Sequence, residues 1–184
     1  MIGSIEDAKK LAKKKHAHQT RKDGKTPYFN HLKKVVRNLE DFGITDKEIL
    51  CAGWLHDTIE DTDIDYDEIY EKFGKKTADY VAWVTKDTRL IKAKQEKQYI
   101  SQLRKSPWQA KVVKLGDILA NFEDLKNSGY DFKKQQSKIR NKIPYILAIK
   151  NGINSNKNKI PNLKKAEERL NSLLENYNQK LVSF

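Results

Sequence analysis

From Ile49 to Thr62 the chain reads Ile-Leu-Cys-Ala-Gly-Trp-Leu-His-Asp-Thr-Ile-Glu-Asp-Thr, an apolar approach that ends in His56-Asp57 and then Glu60-Asp61. Acidic groups crowded at the end of an apolar helix repel one another, and a buried carboxylate without a partner is costly. Such a cluster needs a cation or a solvated exit. Imidazole beside carboxylate suits a divalent transition metal, and a second carboxylate pair one turn later suits activation of a water. The alternative is a helix end that frays into a solvated acidic loop, Asp57 to Asp67. The stretch alone leaves both open, because short motifs recur by chance.

At 184 residues the chain has room for one domain with a sizeable core, or one domain and a tail. Its single cysteine, Cys51, cannot form an internal disulfide, which points to a reducing compartment. Met1 to Lys15 lacks the apolar centre of a secretion signal, and no apolar run reaches membrane-spanning length. A soluble cytoplasmic protein without membrane contacts is expected. The net charge of +12 is uneven: residues 1–125 carry 24 Lys/Arg against 21 Asp/Glu, whereas residues 126–184 carry 13 against 4. A basic C-terminal third attracts nucleic acid or steers a polyphosphate towards a nearby site. No basic motif interleaved with aromatics accompanies the surplus, so a nucleic-acid-binding module ranks below a small anionic ligand.

Hydrophobic spacing is helical throughout and no alternation marks a strand, so the fold class is all-α. Ser4 and Asp7 start a helix reaching about Ala17, and a polar loop with Gly24 follows. Pro27 opens a second helix that Gly43 closes, and Thr45 with Glu48 reads as a capping box for a third helix carrying His56 and Asp57. Asp65 starts a short helix that Gly74 stops, and another spans Thr77 to Val84. A polar helix is expected from Arg89 to about Lys105, and a buried one after the Ser106-Pro107 cap. A helix over 133–150, an asparagine-rich loop over 151–158 and an amphipathic helix over 162–181 complete the chain.

Two polar residues stand in apolar surroundings. His31 lies in the second helix between Phe29 and Leu32, where a lone histidine is more often a satisfied core residue than a ligand. Asp117 sits between Leu115 and Ile118 and needs a partner. Asn121 and Asp124 follow at i+4 and i+7 and share a face with Lys114.

At this point the sequence resembles the HD-domain phosphohydrolases, and within them the hydrolase domain of RelA/SpoT-type alarmone enzymes. Gln19-Thr20-Arg21-Lys22 with Gly24 and Pro27-Tyr28-Phe29-Asn30-His31 resembles the opening motif of that family. His56-Asp57-Thr58-Ile59-Glu60-Asp61-Thr62 resembles its HDxxEDT element, Val84-Thr85-Lys86 its VTK element, and Lys114-Leu115-Gly116-Asp117 with Asn121 its KLADxxxN element. A bare His-Asp pair is weak, whereas these elements in this order are a specific signal, covering about residues 5–150.

The resemblance implies an HD-domain helical bundle over 1–150, with 151–184 as a basic C-terminal amphipathic helix packed on it. It implies one Mn²⁺, or another divalent metal, held by His31, His56, Asp57 and Asp117. Glu60 and Asp61 would position or deprotonate the attacking water. Arg21 and Lys22 would contact the nucleotide and Asn121 the ribose, with Asp124 one turn beyond it on the same face. By charge more than by the resemblance, Lys86 and the cluster Lys138, Arg140 and Lys142 would take the 5′-phosphates. The substrate implied is ppGpp or pppGpp, cut to GDP or GTP and pyrophosphate, and the chain length matches the stand-alone small alarmone hydrolases of the metazoan SpoT-homologue type. Departures from the family pattern are Leu32 after His31, one extra residue between Arg21 and His31, Gly116 for alanine and Ile118 for a basic residue. They bear on substrate identity more than on reaction type, so another HD-domain nucleotide phosphohydrolase or phosphatase is the alternative.

Overall fold

Carboxylates and a hydroxyl at helix starts set much of the architecture. In the computed structural model, which describes residues 2–184, Ser4 caps α1 (Ile5–Lys15) in a reciprocal box with Asp7. Asp46, Asp65 and Asp131 each accept the third backbone N–H of α3 (Lys47–Leu55), α5 (Tyr66–Phe73) and α9 (Phe132–Arg140). The remaining helices are α2 (Phe29–Asp41), α4 (Thr58–Asp61), α6 (Lys75–Val84), α7 (Lys92–Lys105), α8 (Trp108–Leu125), α10 (Ile143–Asn154) and α11 (Leu163–Asn176). Among the described residues there is no strand, and one antiparallel bridge, Thr20 to Pro27, closes the polar loop.

The axis of the bundle is α8, buried on every side from Ala110 to Ala120. α2, α3, α6, α10 and α11 pack around it, so even its Lys111, Lys114 and Asp117 are buried. The apolar stripe of α2 (Leu32, Val35, Val36, Leu39) faces α8, while Leu163, Ala166, Leu170 and Leu174 of α11 join the same core. Arg169 ties α11 to α8 through Glu123, its Nε donating at 2.7 Å.

Several element boundaries differ from the sequence expectation, each for a local reason. Asp46, not Thr45, caps α3, accepting from Ile49 N at 2.9 Å. Ser106 closes α7 by donating to Leu103 O, and Pro107 is the N-cap of α8. The helix expected over 133–150 is two helices broken at Asn141 and Lys142. Pro144 has no N–H and its ring would meet the carbonyl four residues back, so one helix cannot run through it. From there Ile146, Ile149 and Ile153 bury one face and carry α10 into the stretch expected as a loop. The last helix stops at Asn176 instead of continuing towards Leu181, because Asn178 takes a left-handed turn (φ 55).

Close helix approach at α2 and α3 depends on Gly53. A Cβ there would stand 2.6 Å from Leu39 Cδ1 and 3.2 Å from Val36 Cγ2, both of buried residues with no room to swing. Gly53→Ala is therefore expected to destabilise: overpacking costs about 1–3 kcal/mol, and the better helix propensity of alanine returns at most about 1 kcal/mol. Chemical denaturation measures the loss; an unchanged midpoint would show that the two helices can separate freely.

Candidate active site

Three elements converge on one point. α2 delivers His31 from its first turn, the corner between α3 and α4 delivers His56 and Asp57, and the middle of α8 delivers Asp117. The apolar approach ends at Leu55, so His56 and Asp57 occupy the bend itself and not a continuous helix. The His56 side chain thereby turns inward beside His31 and Asp117, the three being 2%, 1% and 4% exposed, while Asp57 is only partly buried. One donor atom from each lies within 4.8 Å of the others. His31 Nε2 is 3.2 Å from Asp117 Oδ1 and 3.7 Å from Asp57 Oδ2, and His56 Nε2 is 2.9 Å from Asp57 Oδ2 and 3.7 Å from Asp117 Oδ1.

The donors fit a divalent cation. His56 Nδ1 lies 3.0 Å from Gly53 O, and because a carbonyl only accepts, Nδ1 carries the hydrogen and the neutral ring turns its Nε2 lone pair to the cluster. That buried Nε2 meets no hydrogen-bond partner, although two carboxylates lie close. His31, His56 and Asp117, with Asp57 beside them, would hold such a cation and leave part of its shell to oxygens of water or substrate. Without a cation the carboxylates demand a proton instead. Burial disfavours charge on His56, yet Asp57 and Asp117 override it and push the ring up to about 10. A metal must therefore displace that proton. Asp117 resists burial chiefly through Lys114, whose Nζ donates to Oδ2 at 2.7 Å and holds the carboxyl well below its ordinary range.

Lys114→Met gives a check on this balance. Lys114 and Asp117 are both buried, and removing one member of such a pair costs about 3–5 kcal/mol. The loss is expected in full without metal and reduced with Mn²⁺, which supplies the missing charge. Thermal melts in both conditions measure it; equal losses would reduce the lysine to a packing role.

Beyond the four donors stands the second acid pair. Tyr28 OH bridges it to the cluster, donating to Asp57 Oδ2 at 2.6 Å and lying 3.3 Å from Asp61 Oδ2. Partial burial, with the charges of Asp57 and Glu60 added, pushes the Asp61 carboxyl up to about 6. Glu60 is held by the backbone N–H of Lys86, which donates to Oε2 at 3.0 Å.

A cavity of about 950 Å³ opens beside His31 and is lined by Arg21, Lys22, Asn121, Asp124, Lys138 and Lys142 among others. Arg21 is fixed before any ligand arrives: its Nη2 donates to Asn121 Oδ1 at 2.9 Å and lies 3.1 Å from Asp124 Oδ2, and its Cζ is 5.3 Å from the Tyr28 ring centre. Two residues expected on this wall are elsewhere. Arg140 is exposed and outside the lining, because Lys138 and Lys142 sit four apart while a residue midway between them faces away. Lys86 also lies outside the lining, its Nζ paired with Glu96 Oε1 at 2.8 Å.

Tyr28 and His16 carry more of the site than residue spacing indicates. Tyr28 precedes His31 by one turn, a hint of a shared face. His16 is buried, its ring stacked on Tyr28 with centroids 5.0 Å apart and Nδ1 2.7 Å from Gln19 Oε1. Its only sequence signal is the i+3 spacing to Gln19.

Comparison with known proteins agrees with this geometry. The sequence pattern of the HD domain matches residues 8–153. The chain is 45% identical over 117 residues to guanosine-3′,5′-bis(diphosphate) 3′-pyrophosphohydrolase MESH1 of Danio rerio, covering 62% of this chain and 65% of that protein. With MESH1 of Homo sapiens the identity is 43% over 121 residues, covering 65% and 68%. The match thus spans just under two thirds of the first relative's length and just over two thirds of the second's. The 3′-pyrophosphohydrolase of Aquifex aeolicus is 36% identical over 159 residues, 85% of this chain and 23% of that one. Among solved structures, a metazoan SpoT orthologue described as hydrolysing ppGpp superposes with a TM-score of 0.74 at 29% identity, covering 94% of both chains. The pattern match over most of the chain, with both histidines and both aspartates gathered at one point, means that this protein belongs to the HD-domain family.

Proposed function

We propose that this protein is a cytoplasmic Mn²⁺-dependent hydrolase that removes the 3′-pyrophosphate of ppGpp and pppGpp, leaving GDP or GTP. The observation that carries the proposal is the convergence of His31, His56, Asp57 and Asp117 next to Glu60 and Asp61, in a chain whose relatives bear that activity in their names. In the reaction a water oxygen bonds to the phosphorus attached to the ribose 3′-oxygen, the bond from phosphorus to that oxygen breaks, and the ribose oxygen gains a proton. His31, His56, Asp57 and Asp117 would hold the cation, which supplies Lewis-acid charge at the phosphoryl group and lowers the pKa of the attacking water.

The chain's own groups do the rest. Asp61, raised towards neutrality and tied to Asp57 through Tyr28, takes the proton of the water, and Glu60 orients it. Arg21, held by Asn121 and Asp124, offers a fixed guanidinium plane to the base. Lys22 and Lys138 on the cavity wall meet the 5′-phosphates. We assign this work to residues 1–150 and a supporting role to 151–184, whose helix α11 packs on α8.

The direct test is turnover of ppGpp by the purified full chain with Mn²⁺, with and without chelator, resolving the products by ion-exchange chromatography. Pyrophosphate and GDP in equal amounts, released only with metal, is the result expected. Release of single phosphates, or no turnover with metal bound, would overturn the assignment of substrate and bond.

A further inference from the structure

Three lysine ammonium groups gather around the rings of Tyr99 and Tyr145, next to Asp117. Lys86 Nζ lies 5.2 Å from both ring centres, Lys114 Nζ 5.2 and 5.6 Å from them, and Lys142 Nζ 4.9 Å from Tyr145. Two of the three have carboxylates: Lys86 has Glu96 at 2.8 Å and Lys114 has Asp117 at 2.7 Å. Lys142 has none within 4.0 Å among the described residues and donates no hydrogen bond there. An ammonium carries three donors, and one that reaches a cavity without a protein acceptor is free to bind an anion there. Lys111, also in the interior, shows the ordinary solution: its Nζ donates to Arg104 O at 3.0 Å and to Ser106 O, closing the end of α7. Lys142 has no such use, and it lines the same cavity as His31.

We propose that Lys142 is an anion subsite for the terminal phosphate of the substrate's 3′-diphosphate, the half of the released pyrophosphate remote from the bond that breaks. The assignment to that phosphate rests on the pyrophosphohydrolase activity proposed above. Charge distribution favours it. A divalent cation at the cluster draws on the charge of Asp117, so Lys114 loses much of its counter-charge and three ammonium groups then face Glu96. Asp61 lies on the other side of the cluster, beside Asp57 and Tyr28, whereas Glu60 sits against the Lys86 backbone. A diphosphate is stabilised beside the three ammonium groups and repelled by Asp61, which leaves the Asp61 side to the water. The break between α9 and α10 makes this possible: Lys142 stands at the N-cap of α10, where it reaches the cavity wall, instead of mid-helix.

The experiment is equilibrium binding of inorganic pyrophosphate to the full chain carrying one Mn²⁺, free metal removed, followed by isothermal titration calorimetry. Lys142→Met is expected to weaken binding at least about tenfold, Lys142→Arg to stay near wild type, and Lys134→Met, an exposed control, to change nothing. Metal content and melting temperature are recorded for each, and Lys142→Gln replaces the methionine variant if that one fails to fold. Wild-type affinity in Lys142→Met overturns the subsite, even if ppGpp is turned over. A tenfold loss upholds the subsite, and turnover of ppGpp, read separately, decides the activity on which its assignment rests.

Discussion

Asp57→Ala is expected to strip the protein of its metal and to lower ppGpp turnover by more than about 100-fold. Removing a group that merely orients a metal ligand already costs about 10–100-fold in affinity or activity, and the position of Asp57 is more central than that. Its Oδ2 lies 2.9 Å from His56 Nε2 and 3.7 Å from His31 Nε2, and it accepts the Tyr28 hydroxyl at 2.6 Å. The substitution also has a proton signature. In the metal-free protein Asp57 and Asp117 hold the His56 ring up to about 10, against the effect of burial. Mn²⁺ binding in neutral or mildly alkaline buffer should therefore release a proton from wild type, because a metal takes only the neutral ring. With Asp57 gone, the largest charge favouring the imidazolium is gone too, and the proton release shrinks with the affinity. Calorimetry in buffers of different ionisation enthalpy reads the proton count, and elemental analysis the metal. A variant that keeps a full complement of Mn²⁺ and turns ppGpp over within tenfold of wild type would remove Asp57 from the metal shell.

Much of this site is legible in one dimension because its chemistry is local. Burial of Asp117 between Leu115 and Ile118 demands a partner, and Lys114 at i−3 supplies it within the same helix. The polar face of α8 likewise shows in the i+4 and i+7 spacing of Asn121 and Asp124, although only the fold brings Arg21 across to them from the polar loop. What the spacing missed depends on chain direction at element ends. The turn after Leu55 buries His56 and makes Asp57 the N-cap of α4, on one side with Asp61, and the Tyr28 hydroxyl reaches both. Pro144 breaks the basic C-terminal stretch into two helices, while Lys138 and Lys142, four apart, meet the cavity and Arg140, midway between them, does not. Charge counts cannot see such a break. The role of Tyr28 escaped spacing for another reason: its hydroxyl joins residues about thirty positions away, and an aromatic before a helix reads as core.

Asp61→Asn is the second large effect, expected to lower kcat by about 10²–10⁴-fold, the contribution of a general base, while metal binding is retained. The pH profile separates this from a structural fault. In the metal-free protein partial burial, Asp57 and Glu60 push the Asp61 carboxyl up to about 6 from an ordinary value of 3.8. A base works deprotonated, so activity rises with pH through the carboxyl's pKa and levels off above it. A cation beside Asp57 offsets the charge that raised Asp61, so the acid limb in the loaded enzyme lies below the metal-free value, and Mn²⁺ binding near pH 6 draws a proton from Asp61 as well. Stability carries the opposite sign. A carboxyl raised on folding favours the fold below its unfolded pKa, and that contribution is lost as pH rises through about 6 in the metal-free protein. Asparagine removes both dependences, because an amide neither accepts the proton nor titrates. Titration of metal-free wild type by carbon-detected NMR locates the carboxyl, and kcat against pH for wild type and Asp61→Asn locates the limb. An asparagine variant with wild-type kcat and an intact acid limb would move the base to Glu60, whose Oε2 accepts the backbone N–H of Lys86 just after α6.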